Sequence, residues 1–181
     1  MKIRENHHII IEKYPYAESL NKKLLDDVKR FPFFNYENSK SYTNIHGSKC
    51  VIGDHQVTLN MQLIVDWVKQ LILAKKESSN LLQAAAEHKS KIDIGIWFAK
   101  YNKGEYTINH DHTNHALHSF VYFVECPKGS SPLVFTTSRK RINAEEGKIV
   151  IFPGNVYHHV PKNKCDGRMT LVGNVGMVES T

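Results

Sequence analysis

Two segments in the first half of the chain have the apolar period of an amphipathic helix. Leucine and valine residues recur every three to four positions over residues 16–29, and a wider apolar stripe that includes Trp67 runs through residues 58–75. The width of the second stripe indicates a helix that packs on a core. The leucines and alanines of residues 76–90 favour a second, shorter helix or a continuation of the same one.

Short apolar runs predict strands, and most of them follow residue 91. They are rich in β-branched and aromatic residues and are separated by Gly, Pro, Asn and Lys, which is typical of an antiparallel sheet system or barrel. The runs are IDIGIWFAKY, HSFVYFVEC, PLVFTT, GKIVIFP, HHVP and MTLVGNVGM. Earlier, residues 8–13 alternate as a strand does, whereas residues 31–53 are expected to be mostly loop, with one strand near residues 42–45.

The order of these elements, helices first and strands afterwards, predicts an α+β fold. We expect the two N-terminal helices to pack on one face of a β-sandwich or β-barrel that roughly the last ninety residues form. The chain has no internal repeat, low-complexity stretch or linker. It is therefore expected to be one domain over residues 1–181, helical to about residue 90 and β-rich over about 91–178.

Composition and charge exclude several classes of protein. With 181 residues, 41% of them hydrophobic, the chain is long enough for a core and is not a disordered tail. It has no run of about 18 apolar residues and no apolar core of signal-peptide length near its start, so we expect a cytoplasmic protein without a membrane span. The net charge of +6 permits anionic partners without requiring them. Three cysteines without a CxxC pair argue against a disulfide framework and a thiolate zinc site.

The candidate chemistry lies among the histidines, six of which fall between residues 110 and 159. On an extended segment, His110 and His112 point to the same face, so their imidazoles can share a metal ion. A third ligand is expected from His158 or His159, which follow the apolar strand IVIFP and a Gly-Asn turn. Neighbouring strand residues face opposite sides, so at most one of the two points inward.

A basic residue in the last apolar strand adds a second feature. Arg168 and Thr170 are also two positions apart and therefore share a face. A buried guanidinium needs an anion, and the sequence offers no acidic neighbour as an obvious partner. The anion could thus be a ligand. The alternative left open is an exposed arginine on the far face of the strand.

These residues and the segments around them resemble the Fe(II)- and 2-oxoglutarate-dependent dioxygenases. His158 follows His110 by 48 residues and Arg168 follows ten residues later, as in that superfamily. The resemblance covers about residues 92–175 and is strongest to small phage-type and prolyl-hydroxylase-like members, which is compatible with a phage-encoded protein in a host cytoplasm. The matching residues and segments are Trp97, Tyr101, Gly104 and Tyr106, SFVYFVECP from Ser119, GKIVIFP from Gly147 and HHVP from His158.

The resemblance implies a double-stranded β-helix, the jelly-roll or cupin-like core, with the helices packed on it. It also implies Fe(II), 2-oxoglutarate and dioxygen as cofactor and co-substrates. His110, His112 and His158 would bind the iron; His158 is preferred to His159 because the family places this ligand five residues after the proline of the FP turn.

The resemblance further assigns the co-substrate contacts. Arg168 would bind the distal carboxylate of 2-oxoglutarate, with Thr170 and either Tyr101 or Tyr122 as hydroxyl donors. The commonest family pattern has an acidic residue where this chain has His112, and the nearest carboxylate, Asp111, comes one position early. Asp111 is therefore kept as an alternative ligand, turned inward by a bulge, or as a partner that orients an imidazole.

Other functions remain open from the sequence. The segments around His110 and His158 also resemble cupins, although the glutamate that cupins place shortly after the second histidine is absent. Three histidines also suit a zinc enzyme with an open water position, and a purely structural or interaction protein is the third alternative.

The primary substrate is expected to be a protein side chain or a small molecule, and a nucleic acid is less favoured. Residues 31–53 and 128–144 are the loops expected to select it. The basic cluster at residues 139–141 in the second loop is more simply a solvated surface than a grip on an acidic partner. The oligomeric state is not predicted.

Overall fold

Two α-helices and twelve strands make up the parts of the chain that the computed structural model describes, which are residues 8–35, 44–74 and 90–179. A short 3₁₀ turn at Asp54–Gln56 precedes the second helix. The elements in chain order are β1 (Ile10–Lys13), α1 (Ala17–Val28), β2 (Phe34–Asn35), β3 (Ile45–His46), β4 (Ser48–Ile52), α2 (Leu59–Leu73), β5 (Ser90–Tyr101), β6 (Tyr106–His110), β7 (His118–Glu125), β8 (Leu133–Phe135), β9 (Arg141–Ile142), β10 (Lys148–Pro153), β11 (His158–Val160) and β12 (Arg168–Glu179).

The strands form two antiparallel sheets. The larger sheet has the order β1-β10-β7-β12-β5-β4-β2, and the smaller one has the order β3-β6-β11-β8-β9. The long central pair β5 and β12 aligns Arg168 with Tyr101 and Val172 with Trp97. Two sheets of this kind, with few helices, fit a jelly-roll-like, β-rich fold.

The middle strands of the larger sheet are buried on both faces, which is why they appear in the sequence as nearly unbroken apolar runs. In β7, Phe120 and Tyr122 belong to the core that faces the helices, whereas Val121 and Phe123 belong to the core between the sheets. Because successive strand residues alternate between faces, one strand serves both cores. The candidate site lies in the core between the sheets.

The two helices cover the outer face of the larger sheet, as the sequence predicts. Helix α1 buries Leu20 and Leu24, and its Asn21 donates a hydrogen bond from Nδ2 to the backbone oxygen of Val124 at 2.8 Å. Helix α2 starts at a capping threonine, Thr58, whose Oγ1 accepts the Met61 N–H at 3.3 Å. The described part of the chain contains no helix of the length and apolarity that crossing a bilayer needs.

The described residues between the two helices contain more strand than the sequence analysis expects. Residues 31–53 were expected to be mostly loop, but they supply β2, β3 and β4, and β4 pairs along its whole length with β5. The strand expected near residues 42–45 begins at Ile45, and residues 42–43 lie outside the described part, as do residues 76–89 of the expected second helix. These strands show no clear apolar period because β2 and β3 have only two residues each, and in β4 the exposed Val51 interrupts the alternation.

Candidate metal centre

Three imidazoles meet in the core between the two sheets. His110, His112 and His158 each offer a ring nitrogen, and these atoms lie within 4.8 Å of one another. The ring centroids are 4.3 Å apart for His110 and His158, 4.9 Å for His110 and His112, and 5.3 Å for His112 and His158. Among the described residues, these three histidines are the group of His, Cys, Asp or Glu side chains whose ligand atoms are close enough to share a metal ion.

Strand pairing positions two of the three rings. His110, at the end of β6, is the cross-strand partner of His158, at the start of β11. The Nδ1 atom of His110 lies 2.8 Å from the oxygen of Ile108, and Nδ1 of His158 lies 2.9 Å from the oxygen of Val156. These contacts place the proton on Nδ1, so Nε2 of each ring presents a free lone pair.

The third ring is positioned by a turn and not by strand alternation. His112 lies beyond the last residue of β6, and its N–H donates to the oxygen of Gly154 at 2.7 Å. The oxygen of His112 accepts the N–H groups of His115 and Ala116 at 2.9 and 3.0 Å. The turn after β6 is thus bound to the turn after β10, and this contact brings His112 beside the other two rings.

Gly154 permits that close contact, and we expect Gly154→Ala to be destabilising. A Cβ atom at this position would clash with the backbone oxygen of Ala116, and overpacking of this kind costs about 1–3 kcal/mol. The matched control is Gly95→Ala, because a Cβ atom at Gly95 meets no atom within 4 Å. Urea unfolding measures both variants; equal stability of the two would contradict the proposed role of the Gly154 contact.

Burial keeps the three imidazoles uncharged. Desolvation is the larger cause and electrostatic repulsion from the neighbouring His110 is the next. Together they lower the pKa of His112 to about 4 and that of His158 to about 3. Desolvation also lowers the pKa of His110. Since a lowered pKa favours the neutral form at ordinary pH, all three rings have a lone pair available for a metal ion.

A cavity between the sheets joins the histidines to Arg168. Its apolar wall includes Ile45, Val121, Leu133, Val160 and Val172. Besides the three histidines, its polar or hydrogen-bonding side chains are Arg168, Thr170, Tyr101, Thr107 and Trp97. Among the described residues, no carboxylate lines the cavity.

Arg168 is buried with its guanidinium largely unpartnered. Only 1% of the residue is exposed, and its Nε donates to the oxygen of Ser131 at 3.0 Å. Neither terminal nitrogen has a hydrogen-bond partner among the described residues. The aromatic rings of Tyr101 and Phe123 lie 4.9 and 5.4 Å from the guanidinium carbon. Burial lowers the pKa of Arg168, but a guanidinium stays protonated, so the cavity contains a charge that lacks a counter-ion.

Two of the predicted hydroxyl donors share this cavity. Thr170 Oγ1 lies 3.4 Å from the oxygen of Ala99, and the Tyr101 hydroxyl lies 2.6 Å from Thr107 Oγ1. Both side chains line the cavity with Arg168. The prediction that Arg168 and Thr170 share a face is therefore confirmed.

The expected role of Tyr122 as a hydroxyl donor in the site is wrong, because its side chain lies on the other face of the sheet. Its hydroxyl donates to Asn21 Oδ1 at 2.7 Å, on the helix-facing side of the larger sheet. Since β7 alternates, Tyr122 cannot reach the cavity that Val121 and Phe123 face. The resemblance left Tyr101 and Tyr122 as alternatives, and only Tyr101 lies in the cavity.

Asp111 and His159 lie outside the group of three. Asp111 Oδ2 accepts a hydrogen bond from Thr113 Oγ1 at 3.0 Å, and Asp111 is not among the converging ligand atoms. The alternative of an inward-turned Asp111 is therefore not what the structure has. His159 lies 3.2 Å by its Nδ1 from Thr136 Oγ1, away from the cavity.

The sequence analysis missed Trp97 and Thr107 as cavity residues. Trp97 lies four residues before Tyr101 on β5, on the same face of the strand. Strand alternation from Tyr101 could therefore have predicted that Trp97 also lines the cavity. Its Nε1 is buried without a hydrogen-bond partner among the described residues. Thr107 had no such signal, because its contact with Tyr101 depends on how β6 lies across the cavity.

Comparison with known proteins finds likeness in structure alone. No protein-family model and no curated protein sequence matches the chain. A prolyl-4-hydroxylase from Pseudomonas putida superposes with a TM-score of 0.70 at 16% identity, over 94% of this chain and 92% of the other. An oxidoreductase of the 2OG-Fe(II) oxygenase family from Burkholderia pseudomallei gives 0.62 at 12% identity, over 93% and 84%.

A third similar structure contains a peptide. A prolyl hydroxylase from Trichoplax adhaerens, in complex with a hypoxia inducible factor peptide fragment, has a TM-score of 0.65 at 15% identity, over 92% of this chain and 82% of the other. The three matches agree in overall fold across nearly the whole chain. The chain therefore has the fold of prolyl hydroxylases and of the 2OG-Fe(II) oxygenase family, as the resemblance in its sequence implies.

Proposed function

We propose that this protein is an Fe(II)- and 2-oxoglutarate-dependent dioxygenase that hydroxylates a C–H bond of a protein side chain or small molecule. The observation that carries the proposal is a single cavity with three neutral imidazoles and an unpartnered, buried guanidinium. We further propose that residues 1–181 act as one domain and that the two sheets correspond to a double-stranded β-helix.

The donor set fits a divalent iron ion. His110 and His158 offer Nε2 atoms whose opposite ring nitrogens are held by backbone oxygens, and His112 completes the group. Three ligands from one side leave coordination positions free for a chelating co-substrate and for dioxygen. We assign His110, His112 and His158 as the iron ligands.

The guanidinium fits the distal carboxylate of 2-oxoglutarate. Its two terminal nitrogens can donate in parallel to a carboxylate, which is the geometry that arginine recognises best. Thr170 and Tyr101 stand beside Arg168 in the lining and supply hydroxyl groups for the same carboxylate. Binding would give the buried charge a counter-ion, which the described part of the chain does not supply.

The protein groups prepare the site rather than react in it. When bound, iron supplies oxidative decarboxylation of 2-oxoglutarate to succinate and carbon dioxide, with dioxygen as oxidant and hydroxylation of the substrate as the outcome. The apolar walls of the cavity exclude water and strengthen the charged contacts of Arg168. The backbone contacts of His110 and His158 hold the rings in one orientation.

The primary substrate is proposed to be a peptide side chain or a metabolite. The peptide bound to the structurally similar Trichoplax protein favours a side chain. The parts of residues 31–53 and 128–144 that lie near the cavity are proposed to select it. The zinc-enzyme and cupin alternatives are less favoured, since neither uses the unpartnered guanidinium beside the histidines.

Two measurements without any primary substrate test the proposal. Anaerobic addition of Fe(II) and 2-oxoglutarate to metal-free protein is expected to produce a weak visible charge-transfer band that saturates near one equivalent of each. On admission of air with ascorbate present as the reductant, the same mixture is expected to release succinate slowly. Tight zinc binding with neither band nor succinate would overturn the proposal in favour of the zinc enzyme.

A further inference from the structure

A lysine and an indole form a pair beside the three histidines. Lys49 Nζ lies 4.4 Å from the centroid of the Trp97 ring. Lys49, on β4, pairs with Ala99 of β5, and Trp97 lies two residues earlier on β5. Trp97 lines the cavity, and Lys49 is close enough to contribute to lowering the pKa of His112.

Both donors of this pair lack an acceptor. The buried Nε1 of Trp97 has no hydrogen-bond partner, and Lys49 Nζ has no ion pair or hydrogen bond within the described ranges. Partial burial lowers the pKa of Lys49, so its charge is poorly solvated. An indole N–H can only donate, and so can an ammonium group. The two together therefore suit an acceptor, and an anionic one best.

The position of the pair separates it from the proposed co-substrate contacts. Arg168 pairs with Tyr101 and Val172 pairs with Trp97. Trp97 therefore lies four residues along the strand from the position of Arg168. Four residues span about 13 Å, which is farther than the five-carbon chain of 2-oxoglutarate reaches. A molecule held at Lys49 and Trp97 would thus be a second one, bound farther along β5 from the Arg168 end.

The charge of the site also favours an anion there. The two charges of Fe(II) cancel those of 2-oxoglutarate, and the histidines add none. Arg168 and Lys49 then leave a formal excess of two positive charges. The described lining of the cavity contains no carboxylate, and the carboxylate of Asp111, which acts on His110 and His112 from nearby, reduces this excess in part. A substrate that brings one negative charge would reduce the excess further.

We propose that Lys49 and the indole N–H of Trp97 form a carboxylate-binding subsite for the primary substrate, which therefore carries an acidic group close to the C–H bond that is hydroxylated. This inference rests on the proposed function, because that function makes the cavity a substrate site. The carboxylate can belong to an acidic side chain of a peptide or to a free organic acid.

Tryptophan fluorescence tests the subsite directly. The chain has two tryptophans, and Trp67→Phe leaves Trp97 as the only reporter. The protein is loaded with Mn(II) and excess N-oxalylglycine, an unreactive analogue of 2-oxoglutarate. N-acetylglutamate α-amide is then titrated against its uncharged counterpart, N-acetylglutamine α-amide, and against glutarate as a free acid. We expect the acidic probes to change Trp97 emission with at least about tenfold higher affinity, as charge-assisted hydrogen bonds predict.

Lysine variants separate the subsite from general charge attraction. Lys49→Met is expected to remove the preference for the acidic probes, and Lys49→Arg to retain it. The matched control is Lys162→Met, because Lys162 also lies over an aromatic ring, 5.9 Å from the Tyr106 centroid, but Tyr106 does not line the cavity, whereas Trp97 does. Tighter binding of N-acetylglutamate α-amide would identify the carboxylate as that of a peptide side chain. Tighter binding of glutarate would identify it as that of a free organic acid.

The outcomes distinguish this inference from the function on which it rests. If manganese and N-oxalylglycine fail to bind, the proposed function fails, and the same titration of unloaded protein still compares the acidic and neutral probes. If loading succeeds and the probes bind equally, or if Lys162→Met matches Lys49→Met, the carboxylate subsite is wrong while the proposed function stands.

Discussion

Replacing His158 by alanine is expected to abolish metal binding, whereas replacing its neighbour His159 by alanine should leave it nearly unchanged. His158 is 6% exposed, pairs with His110 across the strands and offers its free Nε2 to the group of three. Loss of a residue that merely supports a ligand costs roughly 10–100-fold in metal affinity, and loss of the ligand itself should cost more. Competition with a metal-binding dye measures both variants.

His159 is a demanding control because it is adjacent in sequence and is also an imidazole. Its Nδ1 lies 3.2 Å from Thr136 Oγ1, on the side of β11 away from the cavity. Circular dichroism should show that both variants keep their sheets. Equal loss of metal in the two variants, or loss only in His159→Ala, would remove His158 from the proposed centre.

The second large effect is expected at Arg168, where Arg168→Ala should weaken 2-oxoglutarate binding by at least about 30-fold. Truncating one partner of a buried, hydrogen-bonded charge pair costs about 2–5 kcal/mol, and 2 kcal/mol corresponds to about 30-fold. Metal binding should change little, because Arg168 is not in the group of converging ligand atoms. Titration of 2-oxoglutarate into the Fe(II)-loaded protein under argon, followed by the charge-transfer band, gives the affinity.

The stability of the same variant supplies a readout that does not depend on the band. The guanidinium is buried without a counter-ion among the described residues, so removal of the charge should partly offset what the ligand-free variant loses in packing and in the hydrogen bond from Nε to Ser131. Addition of metal and 2-oxoglutarate should then raise the Tm of the unmodified protein but raise that of Arg168→Ala much less. Arg168→Lys should recover part of the affinity, since it restores charge without the paired donors. The same 2-oxoglutarate affinity in all three proteins would exclude Arg168 from the site.

The local sequence pattern was sufficient to predict the helices and strands that pack against the apolar core along their whole length. The period of residues 16–29 and 58–75 predicted α1 and α2 nearly to their ends, and the six apolar runs after residue 91 each contain a strand. The pattern failed for β4. Its buried Cys50 lies between Lys49, which faces the cavity side, and Val51, which is exposed, so hydrophobicity does not follow burial in this strand. Strands at the margin of a sheet bury too little for their period to stand out.

The candidate site was also only partly accessible from sequence. The choice of His110, His112 and His158 matches the rings that converge, but the reason given for His112 was incomplete. His112 is outside β6, and its place depends on the bond from its N–H to Gly154, a residue 42 positions away. Tyr122 was assigned to the cavity although it faces α1, because alternation tells which residues share a face and not which core that face meets.

The sequence by itself determined α1, α2 and the six apolar strands after residue 91, the spacing of the three histidines and the placement of Arg168 and Thr170 on one face. These features depend on residues close together in the chain, whose period reflects local backbone geometry. Only the tertiary structure decided that Tyr101 and not Tyr122 lines the cavity, that Asp111 stays outside it, and that Trp97 and Lys49 stand beside it. Strands buried on both faces are equally apolar on each, so the register and packing of distant segments decide which face meets the site.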